Sequence, residues 1–323
     1  MAVDISSTGL WEAHQIICGA GTGNTLSATP RHSIVPGSSY HMLRTPGSLI
    51  PILQVHNSGS PTIPFGLFNI EELSSIINAK AVAGSDVWTY GAKFDTLNPF
   101  AVWWAQRDDR GTYAAGSVHA KASTAKSLVQ LRQLIAMQDA VAMADMLTYA
   151  IKDGANNPVT WSTGQALPAR TLTDVCFTLG PVYLDGEEIT LNQGFTYTPG
   201  FGFDAIRQAG NPFCETGVVT PGGPSVTVGL RGRSTLDSLG ITNIDGPYAL
   251  TCFLRRLTPY GDRYADDETE HVKLTFAKVA VQCDQPPGGQ INQLFTDTIR
   301  FNVMDPDDAY VTVALDQVIA APA

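Results

Sequence analysis

Four short stretches carry residue types that could do chemistry. Gly19-Ala20-Gly21-Thr22-Gly23-Asn24 follows an apolar run, like a loop that wraps a dinucleotide's pyrophosphate. That loop needs glycine at its last position, a helix behind it and an acid about 20 residues further on. Here the last position is Asn24, Thr29-Pro30 cuts any helix short, and no acid follows before Glu71. Nucleotide binding is not expected. Ser123-Thr124-Ala125-Lys126 spaces a serine and a lysine one helical turn apart, as in penicillin-recognising serine enzymes, but the SDN and KTG partners of that chemistry are missing. Asp262, Asp266, Asp267, Glu268, Glu270 and His271 gather oxygens that calcium accepts. Their spacing is not an EF-hand and Arg263 lies among them, so the expectation is a solvated loop, as it is for Asp305, Asp307 and Asp308. A carboxylate pair drawn from Glu187, Glu188 and Asp204 would suit a hydrolase.

The remaining polar candidates do not cluster. His14, His32, His41, His56, His119 and His271 are scattered, with no HxH or HExxH among them. Cys18, Cys176, Cys214, Cys252 and Cys283 are odd in number and form no CxxC pair, which points to buried thiols rather than a disulfide framework. No metal, cofactor or catalytic residue is expected. The segment Asp86–Tyr113 is aromatic and contains Trp88, Trp103 and Trp104. It reads either as a stacking platform for sugars or bases, or as core and subunit interface; the second is favoured because basic partners are lacking.

Composition narrows the partners. The 323 residues include 20 Lys and Arg against 30 Asp and Glu, a net charge of −10. Gripping phosphates needs a basic excess, and the nearest clusters, Arg231/Arg233 and Arg255/Arg256, are small. High-affinity nucleic-acid binding is therefore not expected. A conduit that DNA passes through remains compatible, since like charge discourages sticking. Charged residues make up 15%, below the usual quarter, which suits surfaces covered by copies of the same chain. The N-terminus does not read as a signal peptide and no run of about 18 apolar residues occurs, so the expectation is synthesis in a cytoplasm and no membrane partner.

The elements that would position these residues are mostly strands. After about Leu172 strand-like runs follow one another: Val175–Leu179, Pro181–Leu184, Gly194–Thr198, Ser225–Leu230, Ala249–Leu254, His271–Gln282, Thr298–Val303 and Tyr310–Leu315. Asp185-Gly186 predicts a hairpin turn between two of them. Earlier strand signals occur at His14–Cys18 and Ile50–Val55. Two helices are predicted. A short one covers Ile70–Ala83, with Asn69 as cap, Glu72 three residues on and Gly84 as stop. A long one covers about Ser123–Lys152, where Leu128, Leu131, Leu134, Ile135, Ala142 and Met146 recur at helical spacing. The expected fold is mainly β with α elements: an N-terminal arm or β subdomain over 1–118, the long flanking helix over 119–153, and a β-sandwich or barrel body over 154–323.

Three segments carry a family likeness. They are Pro224–Gly240, Val175–Gly194 with Asp185-Gly186-Glu187-Glu188-Ile189-Thr190, and Asp297–Asp305 followed by Tyr310–Asp316. Across roughly the last 150 residues the chain resembles tailed-bacteriophage virion structural proteins, most nearly the tail-tube group, in texture and order rather than in a diagnostic motif. The resemblance implies subunits that join sheets around a ring, commonly of six, and stack by loops and arms. It transfers no catalytic residue. The expectation is a non-enzymatic virion subunit that self-assembles into rings or a tube and contacts other virion proteins. Its tentative assembly or surface residues are Trp88, Trp103, Trp104, Asp266, Asp267 and Glu268. The first 118 residues exceed what a minimal tube subunit needs, which keeps a head decoration or connector role open. A carbohydrate- or surface-binding β-module is the other alternative.

Overall fold

Antiparallel pairing organises nearly the whole chain. The computed structural model describes residues 11–18, 24–26, 33–43, 53–73, 80–81, 87–91, 97–107, 112–169, 175–190, 192–220, 222–230, 244–282, 297–304 and 309–321. Within them lie 21 strands, of which 17 belong to one hydrogen-bonded network. Among the described residues there is no helix of seven or more residues.

Two long strands tie the network together. β9 (His119–Met137) is flanked in its first half by β8 (Asn98–Gln106) and β11 (Thr160–Gln165), and in its second half by β10 (Met143–Ile151) and β14 (Asn192–Thr198). β19 (His271–Gln282) runs beside β18 (Ile244–Leu257), with β21 (Ala309–Gln317) and then β20 (Asp297–Val303) on other stretches of its length. β17 (Ser225–Leu230) joins β14 to β20, so the two long strands share one sheet. β5 (Thr62–Leu67) adds to β10, and β12 (Cys176–Leu184) with β13 (Glu187–Glu188) adds to β18. β1 (Trp11–Cys18) and β2 (Asn24–Leu26) extend the sheet beyond β8, while β7 (Val87–Gly91) and β6 (Lys80–Ala81) extend it beyond β21. Two ribbons stand apart: β3 (Ser38–Leu43) with β4 (Leu53–Gly59), and β15 (Gly202–Ile206) with β16 (Thr216–Thr220).

The expected long helix is absent; residues 119–153 are the hairpin β9–β10. Its apolar spacing mimics a helix because the strand changes phase twice. Ala120, Ala122 and Thr124 are buried at period two, then Ser127, Val129 and Leu131, then Leu134 and Ala136. Each change inserts a step of three. The second coincides with a bulge against β10, where Gln133 pairs with Asp145 but Leu131 pairs with Met146. The turn at Gln138–Val141 contains neither glycine nor proline, so nothing local marks it. Good helix formers such as Leu, Ala, Gln and Met are overridden by tertiary pairing. Of the expected short helix over Ile70–Ala83, Ile70–Glu72 form a 3-10 turn, with the Asn69 side chain accepting from the Glu71 N–H, and Lys80–Ala81 are strand; residues 74–79 and 82–83 lie outside the described residues.

The runs after Leu172 fall on strands β12, β14 and β17–β21. β17 and β19 begin and end at the bounds of the strand-like runs Ser225–Leu230 and His271–Gln282. The turn at Asp185-Gly186 has φ of 48° and 85°, the positive pair that a two-residue hairpin of this twist requires. The core lies where the network folds back on itself. Leu131 and Leu134 meet Tyr197, Leu274, Val311 and Val313 around a space of about 10 Å³, too small to leave a real void. The rings of Tyr197 and Phe276 lie 5.1 Å apart. Phe177, Phe253 and Phe301 are also fully buried, and each such ring removes on the order of 150–250 Å² from water.

Thr148, on the buried face of β10, is fully buried and its Oγ1 has no hydrogen-bond partner among the described residues. A buried hydroxyl without a bond costs about 1–3 kcal/mol. Thr148→Val is expected to raise unfolding free energy by about 1 kcal/mol in a denaturant titration. A loss of that size would place the hydroxyl in a bond and not against apolar neighbours.

Candidate functional site

A polar hollow forms around the loop between β18 and β19. β18 ends in Arg255-Arg256 and the loop Thr258–Glu270 returns to His271. Two of its acids, Asp266 and Glu270, are held by those two arginines. Arg255 pairs with Asp266 and donates to the Tyr264 carbonyl at 3.1 Å. Arg256 pairs with Glu270 and lies 3.8 Å from Glu71. His271 is fully buried: its Nδ1 accepts the Arg256 N–H and its Nε2 donates to the Ala265 carbonyl at 2.8 Å. The Ile319 N–H donates to the Asp266 carbonyl, and Arg263 reaches the Gln138 carbonyl at 2.7 Å. The loop expected to be merely solvated is instead clamped to two neighbouring segments. Of the acids singled out, Asp266 is engaged, whereas Asp262, Asp267 and Glu268 are exposed.

Beside this loop lies a cavity of about 330 Å³ lined by Tyr183, Glu188, Asn192, Arg255, Arg263 and Asp266, among others. Burial, and then the charges of Glu188 and Asp266, push the Tyr183 phenol above its ordinary pKa against the opposing pull of Arg255. Two arginines and two carboxylates leave the lining formally neutral. Of the carboxylates Glu187, Glu188 and Asp204, the two glutamates form β13 and Asp204 lies on the separate ribbon β15–β16.

The other sequence candidates are dispersed. Ser123 and Lys126 lie on strand β9 and not on the helix that the serine–lysine pattern requires. His119 is buried and its Nδ1 accepts the Gln106 N–H at 3.0 Å, a bridge between strands like that of His271. His14 is buried too, edge-on to Tyr113 at 5.4 Å. Cys18 and Cys252 are buried thiols; burial pushes Cys18 to about 12 and Cys252 upward as well. Among the described residues no group of three or more His, Cys, Asp or Glu is placed to hold a metal. Gly19–Gly23, Arg231, Arg233, Cys283 and Asp305–Asp308 lie outside the described residues, as do the side chains of His41 and His56.

The tryptophans separate. Trp88 is on β7, paired in register with Val313 of β21. Trp103 is 8% exposed, with the Lys121 ammonium 4.8 Å from its ring centre. Trp104 faces the other way and stacks on Trp161, centroids 5.1 Å apart and planes tilted by 36°. Trp161 was not singled out by sequence, because it sits alone in a polar stretch; only its strand register with Ala122 brings it to Trp104. The chain matches no protein-family model and no curated protein.

Arg256 holds the loop, so Arg256→Met is expected to lower unfolding free energy by about 1–3 kcal/mol. Asp267→Asn, at an exposed position, is expected to stay within about 0.5 kcal/mol. Burial raises the pKa of Glu71, and Arg256 opposes that rise. The folded state thus binds the Glu71 proton more tightly than the unfolded state does. This contribution favours folding below the ordinary carboxylate pKa and is lost as pH rises through the folded value. Without Arg256 that loss should grow, so the deficit of Arg256→Met should be larger at pH 7 than at pH 4. Equal deficits at the two pH values would contradict this arrangement.

Proposed function

We propose that the chain is a non-enzymatic structural subunit of a virion that assembles with copies of itself into rings or a tube. The observation that carries this reading is the pair of two-stranded ribbons outside the large sheet. A lone two-stranded ribbon is marginal in water and needs a surface to lie on. β15–β16 has one on its inner side only: Phe203 stacks on Tyr149 at 4.5 Å, and Ala205 and Val219 pack towards Leu128, Ile151 and Cys214. Its outer side presents Ile206 and Val218, 46% and 51% exposed. Ribbons of this kind suit contacts between neighbouring subunits.

Composition supports the same reading. Few charges and many Ser, Thr and Gly residues fit surfaces covered by copies, and the acidic balance fits a conduit that DNA does not stick to. In such an assembly Asp262, Asp267 and Glu268 are the loop acids left to face a lumen, since Arg255 and Arg256 engage Asp266 and Glu270. Copies of the chain and other virion proteins are the proposed partners.

Light scattering combined with negative-stain imaging, over a range of protein concentrations, tests the proposal. Rings or tubes, with masses at whole multiples of the subunit, are expected. A strict monomer at the highest concentration would contradict it.

A further inference from the structure

One strand is exposed more completely than its length explains. In β11, Thr160, Trp161, Thr163 and Gly164 are exposed, while Ser162 and Gln165 are half-buried. One edge pairs with β9 through Thr160, Trp161 and Ser162; no strand among the described residues lies along the other. Proteins normally blunt such edges with charge, proline or a bulge, because a bare row of N–H and C=O groups invites another strand. Thr160–Gln165 contains no charged residue and no proline. It has one irregularity, between Ser162 and Gln165, where Gly164 takes a φ of 69°. That leaves Thr160–Ser162 extended and open.

The same strand offers an apolar anchor. Trp161 is 54% exposed although it stacks on Trp104. Register carries this face across the sheet: Trp161 pairs with Ala122, Ala122 with Val102, Trp104 with Ala13, and Gln106 with Trp11. Side chains at paired positions point to one face, and so do alternate residues of a strand. Trp11, Trp104 and Trp161 therefore share a face, and Trp11, at the sheet's opposite end, is 50% exposed. Both ends of one five-strand stretch, β2-β1-β8-β9-β11, thus present a half-exposed indole on the same side.

We propose that β11 is the seam between copies: its open edge adds to the β1–β2 end of a neighbouring copy's sheet, and the aromatic face runs on from Trp161 of one copy to the Trp11 end of the next. The occupant is a second copy because an open backbone edge is satisfied by a strand and not by a saccharide, and because the matching indole stands at the far end of the same sheet. A contact that joins two different ends of the subunit is heterologous, the kind that forms a ring when its rotation closes and an open filament when it does not. This inference rests on the assembly reading above and names the surface that would carry it.

Three single variants, Trp161→Thr, Trp11→Thr and Thr163→Lys, test the seam, with assembly followed by light scattering against concentration. Each is expected to raise the concentration needed for half-assembly at least about tenfold. Thr163→Lys adds a charge at an exposed side chain and leaves the Trp104–Trp161 stack intact, so it reads the edge independently of folding; circular dichroism checks that each variant keeps its strands. If wild type assembles and Thr163→Lys assembles at the same concentration, the seam is wrong while the assembly reading stands. A wild type that stays monomeric throughout removes both. Quenching of tryptophan fluorescence by oligosaccharides, with no change in mass, would give the face to glycans and overturn the seam.

Discussion

A strand of 19 residues cannot be satisfied by one neighbour, and the rest of this structure follows from how β9 meets that demand. Every backbone N–H and C=O along a buried strand needs a partner, because leaving one unpaired costs about as much as a lost hydrogen bond. β9 meets the need by changing partners: β8 and β11 serve its first half, β10 and β14 its second. The change of partner brings a change of face, and the bulge opposite Asp145 and Met146 shifts the phase again. As a result one strand contributes Ala120 and Ala122 to the tryptophan-bearing stretch and Leu131 and Leu134 to the packing around Tyr197 and Leu274. β19 divides its length between β21 and β20 in the same manner. The two long strands hold together residues from both halves of the chain.

The same constraint determines what was legible in the sequence. β17 keeps one face, with Val226, Val228 and Leu230 buried in alternation, so it could be read, and the Asp185-Gly186 turn announced itself by residues that tolerate positive φ. β9 could not be read, because two phase changes turn a period of two into steps of three and the turn after Met137 lacks a glycine or proline. Propensity compounds the effect: its Ala, Leu, Gln and Lys residues favour a helix in isolation, and only the neighbours decide otherwise. β11 lies in a polar stretch, and its exposed residues are those of a strand with a single described partner.

The candidate residues were found with uneven success. Trp104 mattered, but its partner Trp161 lay 57 positions away in a strand that nothing local marks. Asp266 was grouped with exposed acids, although the adjacent Arg255-Arg256 pair held the information that some loop carboxylates would be engaged. His119 and His271, which look like spare ligands in a sequence, each accept a backbone N–H from a neighbouring strand, a role that only register reveals. Polar residues in this fold chiefly hold turns and edges in place.

The central claim is that backbone edges left open in one subunit are closed by another. Hydrogen–deuterium exchange, followed at low and at high protein concentration, addresses it directly. Protection of the amides of Thr160–Gln165 should rise with concentration, while the amides of β9 and β19 stay protected throughout. Fast exchange of Thr160–Gln165 at every concentration, in a sample that has visibly assembled, would contradict the account.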